Sequence, residues 1–162
     1  MENNKTSDKI GNSAGSFVVK YDLAFCAIVL IFSIFDGLNI FLPGILKIIV
    51  LSGIALLYFL SVYSSGSNDK MAPIEVFIKK FMDLSSSVVL IGFLFLTMNW
   101  PNNQLMIFVS IPGLLIPWVY IVIQRIKNQS NIQFGTVSIV RTVFLFFIAV
   151  YTLLKLNYVV NF

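Results

Sequence analysis

The sequence predicts an all-α integral membrane protein, a bundle of five transmembrane helices, and three observations predict it. Hydrophobic residues make up 58% of the 162-residue chain and charged residues only 11%, whereas a soluble domain is usually about 45–50% apolar and about 25% charged. The apolar residues form long runs separated by short polar stretches. The lysines and arginines stand mainly at the ends of these runs. A small soluble domain has too little interior to hide such an excess of apolar side chains.

The first two predicted spans form a hairpin. Residues 1–16 are polar and rich in Ser, Asn and Gly, so we expect a disordered cytoplasmic tail before a single transmembrane domain over residues 17–162. The first span is predicted at about residues 17–35. The stretch DGLN at residues 36–39 indicates a turn. A second span is predicted at about residues 43–63, because Pro43 suits the first turn of a helix.

Three further spans follow a polar linker at residues 64–72. Pro73 restarts a helix, and residues 73–83 are amphipathic enough to lie at the membrane interface or to lead directly into a third span at about residues 84–98. The fourth and fifth spans are predicted at about residues 105–124 and 137–156. The polar, basic stretch at residues 125–135 separates them.

The uncharged stretch from Asn99 to Gln104 is predicted to be the tip of a second hairpin. A helix must leave the hydrocarbon before it turns, because each unpaired backbone polar group in lipid costs several kcal/mol. We expect the Asn and Gln side chains to supply partners for the freed backbone. Pro101 favours the turn, and Trp100 suits the lipid–water interface.

The cations predict a cytoplasmic N-terminus and a C-terminus on the other side. Under this threading only Lys47 and Lys155 lie toward the outer side. The other lysines and arginines lie on the cytoplasmic side: Lys5, Lys9, Lys20, Lys70, Lys79, Lys80, Arg125, Lys127 and Arg141. This bias agrees with the positive-inside rule. Tyr21 and Tyr63 would then mark the inner boundary.

Ionisable residues near the spans suggest two pairs. Asp36 and Lys47 lie at the outer end of the first hairpin, and Asp83 and Arg141 lie near the inner boundary. Each pair is interpreted as an interfacial ion pair or two solvated groups, or alternatively as part of an ion or substrate site. Lys155 is expected to extend its ammonium group toward the outer water. With no acid at the centre of any predicted span, no carrier for a proton relay is apparent.

The fourth predicted span contains Pro112, Gly113 and Pro117. Each proline removes a backbone donor and frees a carbonyl one turn back. The pattern predicts a kink, or alternatively a broken helix that lines a solute path. Small residues predict close helix contacts, either within the chain or between copies. They are Ser33 and Gly37, Ser52, Gly53 and Ala55, and Ser85, Ser86, Ser87 and Gly92.

Several functional classes are not expected. The chain has no histidine, which removes the commonest general base and metal ligand, and no glycine-rich phosphate loop is present. We expect no enzyme activity, no catalytic residues, no metal and no cofactor. The lone Cys26 is interpreted as a buried apolar side chain. The cations form no basic stripe, so nucleic acid is not an expected partner.

The stretch FLFLTMNWPNNQL at residues 93–105 resembles a turn of small Bacteroidetes membrane proteins, among them the inner-membrane subunit of the gliding-motility motor. Phe95, Trp100 and Pro101 match the pattern of that turn, whereas Leu96, Asn99 and Asn102 replace its lysine, histidine and glycine. The motor subunit also carries a membrane-embedded acid, which the fourth span here lacks. The resemblance implies a helical hairpin and a shared lineage but does not extend to motor function.

Together these observations predict a multi-pass protein of a bacterial inner membrane, in contact with the lipid bilayer. The leading hypothesis is a small accessory or assembly subunit that acts through helix–helix contacts, with another membrane protein or as a homo-oligomer. The alternative is a small transporter or channel whose path follows the kinked fourth helix.

Overall fold

The computed structural model describes residues 2–38, 40, 42–64, 73–126 and 136–160. Side chains are described for residues 12–38, 40, 42–64, 73–102, 104–124, 126 and 139–155. The described residues form five α-helices and no strand: α1 Glu2–Gly37, α2 Gly44–Ser61, α3 Pro73–Thr97, α4 Asn103–Ile126 and α5 Thr136–Val160. The all-α prediction is therefore confirmed.

Four of these helices are long and apolar enough to cross a membrane: Asn12–Gly37 within α1, Gly44–Ser61, Pro73–Thr97 and Gln104–Gln124. These four spans agree with the membrane class that the composition predicts. An α-helix rises about 1.5 Å per residue, so each reaches across most or all of the roughly 30 Å hydrocarbon core of a bilayer.

Helix α1 begins earlier than the sequence predicted. The structure continues α1 back to Glu2, through residues expected to form a disordered tail. Extending an existing helix adds one backbone hydrogen bond for each residue fixed, so polar residues follow a nucleated helix readily. Helix α3 begins at Pro73, as predicted. It runs unbroken through residues 73–83, so of the two alternatives for this stretch the structure has the direct continuation into the third span.

In the hairpin between α3 and α4, backbone hydrogen bonds end the first helix, α3. Asn99 adopts a positive φ of 54°, and its N–H donates to the carbonyl of Leu96 at 3.0 Å. The N–H of Trp100 donates to the carbonyl of Phe95 at 2.8 Å, and the two rings pack edge to face with centroids 5.1 Å apart. This is the Schellman arrangement, which uses a left-handed residue after the helix.

At the end of α3 the partners predicted from Asn and Gln side chains are supplied by the backbone instead, while the side chain of Asn103 lies outside the described residues. Asn99 serves through its backbone, because asparagine enters the left-handed region more readily than most residues. Asn102, with φ of 65°, is a second example in the same turn. Trp100 and Pro101 are both exposed at the tip, as a boundary position requires.

The helix α3 is the centre of the bundle. It contacts α2, α4 and α5, while α1 contacts α2 and α5. In the most apolar 18-residue stretch of α3, 61% of the residues are buried, against 28–33% in the corresponding stretches of the other three candidate spans. The surrounding helices therefore present long apolar faces outward, as lipid contact requires.

Glycine allows α4 to approach α3 closely. A Cβ atom at Gly92 would lie 2.6 Å from Cδ1 of Ile107, and one at Gly113 would overlap the side chain of Ser85. Ser85, Ser86 and Gly92 are buried. On α3, the small residues thus serve contacts within the chain, since close approach is how membrane helices gain packing energy.

Candidate functional site

Four helices bring charged and hydroxyl side chains together inside the bundle. We call this set the ion cluster: Asp22 of α1, Tyr58 and Ser61 of α2, Asp83 of α3 and Arg141 of α5. Each of the five residues is buried. Because a buried charge is costly unless it is paired, these contacts constrain how the helices pack.

Arg141 links α5 to α3. Its Nη2 atom donates to Oδ1 of Asp83 at 2.5 Å. The second oxygen of that carboxylate, Oδ2, accepts a bond from Oγ of Ser61 at 2.9 Å. The Ser61 hydroxyl also lies 2.7 Å from the carbonyl oxygen of Tyr58. Both oxygens of Asp83 therefore accept hydrogen bonds, one from a charged donor and one from a hydroxyl.

Arg141 also links α5 to α1 and α2. Its Nη1 atom lies 3.3 Å from Oδ2 of Asp22, and Oδ1 of Asp22 accepts a bond from Oη of Tyr58 at 2.5 Å. The guanidinium carbon lies 4.7 Å from the centroid of the Tyr58 ring. A cation over an aromatic face is attracted by the ring quadrupole, so Tyr58 contacts Arg141 as well as Asp22.

One guanidinium therefore serves two carboxylates. The side chains of Arg141 and Asp22 are only 3% and 2% exposed, so water screens their attraction little. One donor atom of the guanidinium remains: Nε of Arg141 is buried and has no hydrogen-bond partner among the described residues. A buried unsatisfied donor is uncommon and favours an additional acceptor at this place.

A cavity of about 500 Å³ borders the cluster. We call it the polar cavity. Its charged walls are Lys79, Asp83 and Arg141, and its other walls are Asn12, Gly15, Ser16, Val18, Val19, Ser61 and Ser64. It lies beside the N-terminal halves of α1, α3 and α5 and the last residue of α2. The volume is within the range of small-molecule sites, about 300–1,000 Å³.

The structure brings together one of the two suggested pairs. Asp83 and Arg141 are in contact. Asp36 pairs instead with Lys155, whose Nζ lies 2.6 Å from Oδ2 of Asp36, and not with Lys47. The reason is packing: α5 lies against α1, so the end of α5 reaches the end of α1. Lys155 therefore contacts an acid, where an extended side chain in water was expected.

Asp22 was not predicted as a member of a site. It lies in the first part of the apolar run that begins at Phe17, within the candidate span Asn12–Gly37, and it is buried. The sequence did contain a signal for Asp22, because an aspartate within an otherwise apolar run is rare and points to a functional site.

Tyr58 and Ser61 were also not predicted. Tyrosine and serine occur at many positions in membrane helices, and neither is distinctive by type or spacing. Their roles follow from the way α2 faces Asp22 and Asp83, which depends on the rotation of the helix in the bundle.

The residues suggested for a path along α4 lie elsewhere. The helix is continuous through Pro112 and Pro117, so it is not broken. Pro112 is exposed, and Pro117 and Gly113 are buried. Neither the polar cavity nor an apolar cavity of about 250 Å³ between α4 and α5 has these three residues in its walls.

The chemistry available to the ion cluster is hydrogen bonding and charge pairing. Among the described residues, no three His, Cys, Asp or Glu side chains lie close enough to hold a metal ion. The cluster can hold α1, α2, α3 and α5 in one arrangement, and the polar cavity offers donors to a bound group. Comparison with protein-family models, with curated proteins and with solved structures found no match.

Proposed function

We propose that this chain is a five-span protein of a bacterial inner membrane, with a cytoplasmic N-terminus, that serves as an accessory or assembly subunit through helix–helix contacts. Its partner is another membrane protein or a second copy of the chain. Four candidate spans and the outward apolar faces support a membrane location. The fifth span, the orientation and the partner contact are argued in turn below.

The outer face of α5 supports a fifth span. Val140, Phe147 and Leu154 are 49%, 66% and 62% exposed, and their spacing of seven residues places them on one side of the helix. The charged residues of α5 point elsewhere, since Arg141 is buried and Lys155 pairs with Asp36. With 25 residues, α5 is long enough to cross a bilayer.

The distribution of cations supports the orientation. The helix segments around the polar cavity carry Lys20, Lys79 and Lys80, whereas the turn at residues 98–102 carries no cation. Cytoplasmic ends of membrane helices are enriched in lysine and arginine. The polar cavity therefore faces the cytoplasmic side in this proposal.

The outward face of α2 carries the partner contact. Ser52 and Gly53 are exposed, and a Cβ atom at Gly53 would meet nothing within 4 Å. Ile49 and Leu56 are 64% and 57% exposed on the same face. Small residues between larger apolar ones let a second helix approach closely in lipid, where packing drives association.

This proposal is tested by co-purification in a mild detergent. Gly53→Leu should leave the bundle folded, because the space at this position is open, and should remove the partner or the second copy. Val109→Leu is the matched control, because Val109 of α4 is 69% exposed. Unchanged co-purification and an unchanged oligomeric state in Gly53→Leu would contradict the proposal.

A transporter is the second candidate, and the polar cavity is the observation that favours it. A path along α4 has no support from either cavity. Ser16→Leu, which puts a larger side chain in the wall of the polar cavity, separates the candidates. If protein level and complex formation remain normal while uptake of a solute is lost, transport is the function; the accessory proposal expects no effect on uptake.

A further inference from the structure

We infer that the cavity between α4 and α5 holds one acyl chain of a membrane lipid. We call this space of about 250 Å³ the apolar cavity. Its walls are Leu114, Leu115 and Trp118 of α4 together with residues 142, 143, 146 and 147 of α5. Three observations carry the inference: the shape of the cavity, the chemistry of its walls and its depth in the membrane. It does not depend on the partner contact proposed for α2.

The apolar cavity has a closed floor and an open rim. Leu114 and Thr142 form the floor, since they are only 1% and 2% exposed. Leu115, Trp118 and Phe147 form the rim, since all three are exposed on the outer surface of the bundle. An apolar cavity of about 150 Å³ is large enough for benzene, so this larger one has room for a stretch of hydrocarbon chain. Such a chain can enter from outside the bundle without displacing a helix.

The walls match an occupant that is apolar and uncharged. None of the wall residues is charged, and almost all of the surface that faces the cavity belongs to carbon atoms. Thr142 has the only hydroxyl group in the walls, and this residue already interacts within the structure. A headgroup or a polar solute would lose its hydration here without gaining a partner. A hydrocarbon chain has no polar group to desolvate.

The apolar cavity lies at a depth where lipid chains surround the protein. Leu114 stands ten residues from each end of the candidate span Gln104–Gln124, about 15 Å along the helix axis. The hydrocarbon core of a bilayer is about 30 Å thick and contains no water to fill the space. An unfilled void would leave its walls without contacts on one side. The acyl chain of a neighbouring lipid supplies those contacts.

The test uses the tryptophan on the rim. The chain has two tryptophans, and Trp100→Phe leaves Trp118 as the only one. The purified full chain is placed in phosphatidylcholine bilayers in which a varied fraction of the lipid carries bromine on its acyl chains. Bromine quenches a tryptophan that it contacts. The dependence of the fluorescence on the brominated fraction therefore gives the number of chains in contact with Trp118.

Two variants in this background put a phenyl ring into the space that the chain takes. Val143→Phe should lower the number of chains in contact with Trp118 by about one, because a ring and a chain cannot share a close-packed space. Leu115→Phe should act in the same direction from the exposed rim, where it leaves the contact between α4 and α5 intact. Val109→Phe is the matched control, since Val109 of α4 is 69% exposed and lies outside the cavity walls. It should leave the number unchanged.

The inference is overturned if Val143→Phe and Leu115→Phe both leave the number of contacting chains unchanged, or if Val109→Phe lowers it as much as they do. It is also overturned if Val143→Phe leaves this number unchanged but reduces the amount of dimer in detergent, since a side chain of a second copy would then occupy the cavity. The Gly53→Leu test concerns a different helix and a different readout, so the two proposals fail separately.

Discussion

Replacing Arg141 by methionine tests the role of the ion cluster most sharply. Methionine keeps an unbranched apolar stem, two atoms shorter than arginine, and removes the charge that Asp22 and Asp83 share. Their side chains are 2% and 7% exposed, so each carboxylate remains buried without a counter-charge. Removing one partner of a buried pair costs about 3–5 kcal/mol, a large part of a typical unfolding free energy of roughly 5–15 kcal/mol.

A compensated variant separates charge from packing. Asn at both acid positions, combined with Arg141→Met, leaves no buried charge, while the amide oxygens can still accept bonds from Tyr58 and Ser61. We expect this triple variant to recover at least half of the stability lost by Arg141→Met alone, because the cost arises mainly from the unpaired acids.

The measurement is reversible unfolding in mixed detergent, followed by tryptophan fluorescence. Lys155→Met is the control, because it breaks the partly exposed pair with Asp36 and should cost about 0–1 kcal/mol. The reasoning is refuted if Arg141→Met costs no more than this control, or if the triple variant is as unstable as the single one.

Three further predictions use the same unfolding assay on the isolated chain. Gly113→Ala should cost about 1–3 kcal/mol, because its Cβ would overlap a serine of α3, whereas Gly53→Ala should gain up to about 1 kcal/mol from helix propensity; equal effects would contradict the close approach of α3 and α4. Asn99→Gly should be nearly neutral and Asn99→Val should cost about 1–2 kcal/mol, since φ is 54° there; a neutral valine variant would rule out the left-handed turn. Tyr58→Phe should cost about 1.5–3 kcal/mol by removing the bond to Asp22, and a loss below about 0.5 kcal/mol would show that this bond contributes little to stability.

The sequence is sufficient to predict the helices because their signals are local. Apolar runs of membrane length, Pro73 at a helix start and the polar turn at Asn99 each act within a few residues. The start of α1 was less predictable, because a helix continues through polar residues once it has formed.

The candidate site was predicted only in part, because it depends on helix rotation and neighbour choice. Asp83 and Arg141 were recognised because charges near apolar runs are rare. The choice of Lys155 over Lys47 as the partner of Asp36 required knowing that α5 lies against α1. Tyr58, which has no distinctive sequence signal, could be assigned only from the packed bundle.

The exposed small residues of α2 show the same limit. The sequence indicated close packing at Ser52 and Gly53 but left open whether it lies within the chain or between copies. The structure turns both residues outward, because the inner face of α2 is taken by larger side chains such as Leu51 and Tyr58. The direction of a small residue is therefore a property of the bundle.

The location of the C-terminus tests the five-span account most directly. A reporter fused after Phe162 can be read on both sides of the membrane, with green fluorescent protein for the cytoplasm and alkaline phosphatase for the outside. Five spans from a cytoplasmic N-terminus predict active phosphatase and no fluorescence. Bright fluorescence with inactive phosphatase would contradict the combination of five spans with a cytoplasmic N-terminus.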